Sequence, residues 1–252
     1  MTAHGALQAK YLASHLIQRD ASLPPPSQIF ASDLERAWRT AEAVRTGYLD
    51  AGLSVPKVER LPELREQDFG SLEGLGWRGP LPAVESGWVD PETPASVLRR
   101  VNQFLDVHLF PSVQKLLADS VDGETSVVVA AHGITLGHLV SALVAKFRAG
   151  ECPVYGLAAD DGHLHWRNTG YFECLVEAVT PSSPATSHHS IQSQAPGIRP
   201  FPYGLKVTVE RMNCVDHLTG LSKTKGGIGS AAFDSNQKTL DTFLTKKGGP
   251  SQ

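Results

Sequence analysis

Cysteine is scarce in this chain. Cys152, Cys174 and Cys214 are the only three in 252 residues, and none forms a Cys-x-x-Cys pair. That argues against a disulfide framework or a zinc site and fits a reducing compartment. Charge of one sign is also missing. A formal net charge of -3 offers neither a nucleic-acid-binding surface nor a polybasic membrane patch. No apolar run approaches the roughly 20 residues of a membrane span. The N-terminus lacks the charged and apolar regions of a secretory signal. These absences leave the cytoplasm or the nucleus as the expected location. No internal repeat is visible.

What is present is enough apolar sequence for a core, 41% of residues, in one stretch above all. Ser126–Val144 opens with Val127-Val128-Val129, a run that predicts a strand buried on both faces of a parallel sheet. His132-Gly133 comes next. Ile134, Leu136, Leu139, Val140 and Leu143 then recur at helical spacing. The reading is strand, tight turn, helix, with His132 at the strand's C-terminal end. Ligands of open α/β sheets bind at that end, and free N–H groups at the helix start favour an anion such as phosphate.

The rest of the chain alternates in the same way. Leu7, Tyr11, Leu12, His15 and Leu16 predict a first helix with Thr2 as its N-cap. A short strand is expected at Ser27–Ala31. A helix with the stripe Leu34, Ala37, Trp38, Ala41 and Val44 should come after it, with Arg36 in its first turn. Glu63, Glu66, Asp68 and Glu73 punctuate a loop containing two glycines. A helical stripe runs from Val97 to Val113, and Pro111 should kink or divide it. The order α, β, α, loop, α, β, α predicts an α/β layered domain. Strands are expected at 171–179 and again within 204–218. Between them, 180–203 is a Ser/Pro/His-rich insertion expected to be disordered. His188-His189 within it reads as solvated linker rather than a metal site. Residues 219–252 form a polar tail.

Within that tail Gln237, Leu240, Phe243 and Leu244 have the spacing Gln-x-x-aliphatic-x-x-aromatic-apolar. Leu240, Phe243 and Leu244 would share one face of a helical turn, with Gln237 a turn earlier. This resembles the motif by which replication and repair proteins dock on the sliding clamp, with Leu244 in place of a second aromatic.

Three segments in order resemble the histidine phosphatase superfamily, in its phosphoglycerate-mutase-like branch. They are the Ser32, Leu34, Arg36, Ala37, Thr40, Ala41 set, the Leu64, Glu66, Phe69, Gly70, Glu73, Gly74 set, and the His132-Gly133 stretch. The resemblance covers roughly residues 1–179. It implies a three-layer sandwich, a mostly parallel sheet flanked by helices. It implies phosphomonoester hydrolysis through a phosphohistidine without metal or cofactor. In that scheme Arg36 and His132 clamp the phosphoryl oxygens. Glu66 protonates the leaving oxygen and then activates water. Gly133 lets the backbone turn tightly beside the substrate.

The family's first strand ends in Arg-His-Gly, and its histidine is the nucleophile. That tripeptide is absent from these 252 residues. Met1, Thr2, Gly5, Gln8 and Ala9 already match the segment that comes after it, so an N-terminally truncated domain without its nucleophile, and inactive as it stands, is expected. His4-Gly5 is a poor substitute, because no arginine precedes it and no strand carries it. Three functions stay open: a phosphatase acting on a small phosphorylated substrate, a non-catalytic protein tethered to the sliding clamp by its tail, and an α/β domain with an unrelated small-molecule site. Nothing marks a mutase pocket that would retain a phosphorylated intermediate.

Overall fold

The computed structural model describes residues 1–19, 24–74, 86–119, 125–150, 152–156, 165–178 and 205–221. The insertion, the tail motif and His188-His189 lie outside them. Helix α1 spans Ala3–Gln18, and Thr2 Oγ1 accepts from Gly5 N at 3.1 Å as its N-cap. His4 lies in the first turn of this helix. Strand β1 (Pro26–Ser32) leads into α2 (Glu35–Asp50), then β2 (Val58–Leu61). Helix α3 (Pro94–Phe104) and α4 (Phe110–Asp119) are joined by a π turn at Leu105–Leu109. That wide turn is the break expected near Pro111. Proline offers no N–H, and its ring would clash with the carbonyl four residues back.

Strand β3 (Ser126–Ala130) precedes α5 (Gly133–Ala149). Short β4 (Val154–Tyr155), β5 (Tyr171–Ala178) and β6 (Leu205–Cys214) follow among the described residues. The described strands form two three-stranded sheets, not one. The first has the order β2-β1-β3, all parallel. The second has the order β4-β6-β5, with β5 antiparallel to β6.

Side chains of β1 alternate between two helical layers, as strand geometry requires. Ile29 and Ala31 pack with Ala41 of α2. Phe30 points the other way, into a cluster with Val97, Val101 and Phe104 of α3 and Leu139 of α5. Leu205 and Val207 of β6 join that same cluster. The chain is therefore an α/β protein with a parallel three-stranded sheet between helices.

Strand β3 departs from the expected double burial: all five of its residues are half-buried. It ends its sheet, and no described strand pairs with its outer edge. Its apolar side chains still reach both cores, Val127 and Val129 one and Val128 the other.

Phe104 is fully buried and meets Phe30 edge-on, with ring centroids 5.5 Å apart. Phe104→Ala should lower the unfolding free energy by about 3–5 kcal/mol, read from the urea midpoint.

Candidate functional site

Parallel pairing puts the ends of β1 and β3 side by side, with Ala31 opposite Ala130. The two turns that leave those ends are thereby neighbours. After β1 come Ser32 and Asp33, then the first turn of α2 with Arg36. After β3 come Ala131 and His132, then α5. Arg36 Nε donates to His132 Nδ1 at 2.9 Å. An arginine side chain only donates, so Nδ1 is the acceptor and Nε2 carries the proton. Nε2 lies 3.0 Å from Ser32 Oγ, which also accepts from Leu34 N at 3.2 Å.

His132 is 6% exposed and Ser32 is fully buried. Burial, then the adjacent Arg36 charge, lowers the His132 pKa to about 4, against a smaller opposing influence of Glu66. At neutral pH the ring is uncharged.

Glu66 arrives from the other neighbour of β1. Strand β2 ends at Leu61, opposite Ser32. A 3-10 turn at Pro62–Leu64 then carries the chain to Arg65 and Glu66. Helix α5 has His132 as its N-cap residue, but the imidazole makes no cap bond. Glu66 supplies one from across the sheet. Its Oε1 accepts from Thr135 N at 3.2 Å and its Oε2 from Ile134 N at 3.4 Å. A carboxylate at this position answers the orphan N–H groups and the helix dipole together. The anion expected at this helix start is therefore the chain's own.

The Glu66 loop is fixed from both sides. Thr135 Oγ1, fully buried, donates to the Arg65 carbonyl at 2.6 Å and lies 3.2 Å from Glu66 Oε1. Arg65 binds both oxygens of Asp33 at 2.7 and 2.6 Å. That pairing holds the Asp33 carboxyl below its ordinary value.

Arg36, Glu66 and His132 are thus brought to one corner of the sheet. Gly133 starts α5 there, without the steric need expected of it. Its φ is not in the left-handed region, and an added Cβ would meet only Trp166 Cβ at 3.8 Å. Other loop carboxylates serve locally: Glu73 accepts from Phe69 N and Glu63 from Gln103. Gln237, Leu240, Phe243 and Leu244 lie outside the described residues. Sequence reasoning missed the supporting roles of Ser32, Asp33, Arg65 and Thr135. Ser32 stood in the recognised motif, but only parallel pairing shows that it faces His132.

The profile of the histidine phosphatase superfamily (branch 1) matches residues 1–152. The Schizosaccharomyces pombe protein named "Probable phosphatase C1620.13" is 28% identical over 257 residues, covering 98% of this chain and 71% of that protein. Among solved structures, mycobacterial hydrolase 2 superposes with a TM-score of 0.48 at 22% identity, over 84% of this chain and 79% of that one. A mycobacterial glucosyl-3-phosphoglycerate phosphatase in complex with VO3 superposes with a TM-score of 0.42 at 24% identity, over 68% of this chain and 78% of that one.

His132 and His217 both have pKa values lowered from 6.5 to about 4, chiefly by burial. Between those values the unfolded chain binds protons that the folded chain does not. Stability is therefore full above pH 6.5 and falls toward pH 4. The urea midpoint should drop across that window, and less steeply in His132→Gln.

Proposed function

This chain belongs to the histidine phosphatase superfamily, branch 1, and we propose that it supplies the phosphoryl clamp and the acid of a metal-independent phosphomonoesterase. The observation that carries this reading is the Arg36–His132 contact of 2.9 Å at two adjacent strand ends, beside Glu66. The fission yeast relative is itself named a probable phosphatase.

The two clamp groups bond to each other in this structure. A phosphoryl group would replace that contact. Arg36 N–H groups would point at the oxygens, and the anion would favour a proton on His132 Nδ1, making the ring a double donor. Attack by a histidine nitrogen on phosphorus breaks the bond to the leaving oxygen, which takes the proton of Glu66. Water then attacks the same phosphorus, Glu66 takes its proton, and the P–N bond breaks. Charge is spread over the three equatorial oxygens in both transition states, where fixed donors stabilise it.

We assign the phosphoryl-accepting histidine to a strand that adds along the outer edge of β3. A parallel strand there would end beside His132. The half-buried Val127–Val129 run, apolar but unpaired on that side among the described residues, suits such an addition. On this reading the 252 residues expressed alone give no turnover. A phosphohistidine formed within them would overturn the strand assignment. In the protein isolated from its own cells, Arg36→Ala and His132→Ala should each lower kcat/KM for an aryl phosphate by about 100-fold or more. Activity kept within a few-fold would overturn the clamp roles.

A second reading rests on the spacing of Gln237, Leu240, Phe243 and Leu244: the tail docks on the sliding clamp as one apolar helical turn. Capture of the chain by immobilised clamp should be lost in Phe243→Ala, and unchanged capture would refute it.

A further inference from the structure

Thr135 lies in the first turn of α5 and is fully buried. A threonine in a helix commonly donates to the carbonyl four residues back, as Thr40 of α2 does to the Arg36 carbonyl at 2.8 Å. Thr135 turns elsewhere. Its hydroxyl donates to the Arg65 carbonyl, in the loop after β2, at 2.6 Å. Arg100 Nη1 donates to the same carbonyl, also at 2.6 Å. A carbonyl oxygen has two lone pairs, and these two donors fill both. They pin the peptide group that joins Arg65 to Glu66.

The carboxyl of Glu66 is held unevenly. Its Oε1 accepts from Gln67 N at 3.1 Å and from Thr135 N at 3.2 Å, and the Thr135 hydroxyl lies 3.2 Å away. Its Oε2 accepts from Ile134 N at 3.4 Å, a longer and weaker contact. Two N–H donors occupy the lone pairs of Oε1, so a proton added there would displace one of them. A proton on Oε2 leaves both in place, because Oε1 then accepts as a carbonyl oxygen. Oε1 is thus the anchored oxygen in the carboxylate and in the acid, and Oε2 is the one that can change. Ile134, its partner, lies two residues past His132.

We propose that Thr135 is a positioning residue for proton transfer: it anchors Glu66 through the Arg65 carbonyl and Oε1, and Oε2 gives and takes the proton. The inference rests on the phosphomonoesterase reading, in which Glu66 protonates the leaving oxygen. In the first half, the proton on Oε2 passes to the leaving oxygen as the P–O bond breaks and the P–N bond forms. In the second half, water attacks phosphorus, its proton passes to Oε2 and the P–N bond breaks, which restores the neutral acid. The bonds of Thr135 and Oε1 persist through both halves. Without the hydroxyl, the Arg65 carbonyl loses one of its two donors and the Glu66 peptide can turn. Proton transfer tolerates little displacement of that kind.

Two aryl esters test this on the protein isolated from its own cells. 4-Nitrophenolate departs with little help from a proton, whereas phenolate needs one. Thr135→Val keeps the shape and the backbone N–H and removes the hydroxyl. It should lower kcat/KM for phenyl phosphate at least about tenfold more than for 4-nitrophenyl phosphate. Thr135→Ser keeps the hydroxyl and should restore phenyl phosphate to within about threefold of the unaltered protein. Glu66→Gln should show the same split between the esters, and a larger one. Urea midpoints establish that each variant is folded, and Thr135→Ala takes the place of a valine variant that does not fold. A split in Glu66→Gln with none in Thr135→Val, or a serine variant as impaired as the valine one, would overturn the role of Thr135 and leave Glu66 as the acid. Equal losses on the two esters in Glu66→Gln would overturn the acid reading, and the inference with it.

Discussion

The parallel ladder between β1 and β3 is the constraint on which the site depends. Its register aligns Phe30 with Val129 and Ala31 with Ala130. Both strands therefore stop at the same level, and both chains turn into helices there. The turn after β1 delivers Ser32 and Arg36; the turn after β3 delivers His132. A slip of one residue would send Phe30 from the α3–α5 core to the α2 side and move His132 away from Ser32. Pairing of β2 on the other side of β1 extends the same logic to Glu66. Three segments distant in sequence reach one corner because three parallel strands end there.

Electrostatics at that corner is finely opposed. Burial and then Arg36 keep the His132 ring neutral, while Glu66 sits on the start of α5. The helix dipole favours the carboxylate, and the neutral imidazole accepts from the arginine instead of repelling it. Arg36 already has its acceptor within the chain. On the proposed reading, an incoming phosphoryl group exchanges bonds with Arg36 and His132. Ser32 and Thr135, both fully buried, hold their neighbours by hydroxyl contacts that such an exchange leaves in place.

The second sheet is tied to the first by a polar cluster on α1. Arg19 donates to both oxygens of Glu173 at 2.6 and 2.9 Å and to the Tyr171 hydroxyl at 2.6 Å. His15 Nε2 lies 3.1 Å from the same hydroxyl. These contacts join the end of α1 to β5, elements far apart along the chain. Leu12, Ala13, Val44 and Tyr48 pack beneath them between α1 and α2.

Local pattern determined much of this protein. The β-branched run before His132, the 3.6-residue stripes of α1, α2 and α5, and the Thr2 cap were legible because each depends on neighbours within one turn or one strand. The ordered motifs around Arg36, Glu66 and His132 were legible too, because residue type and spacing carry them. The tertiary structure alone decided the rest. It divided the strands into two sheets, because pairing is a long-range choice that no single segment encodes. It made Glu66 the cap of α5, because a side-chain cap can come from anywhere a loop is folded back. It removed the steric reason for Gly133, because that reason depends on backbone angles and on Trp166. It also paired Arg65 with Asp33 and Arg100 with Glu92, since which charges pair is settled only when the chain has folded around them.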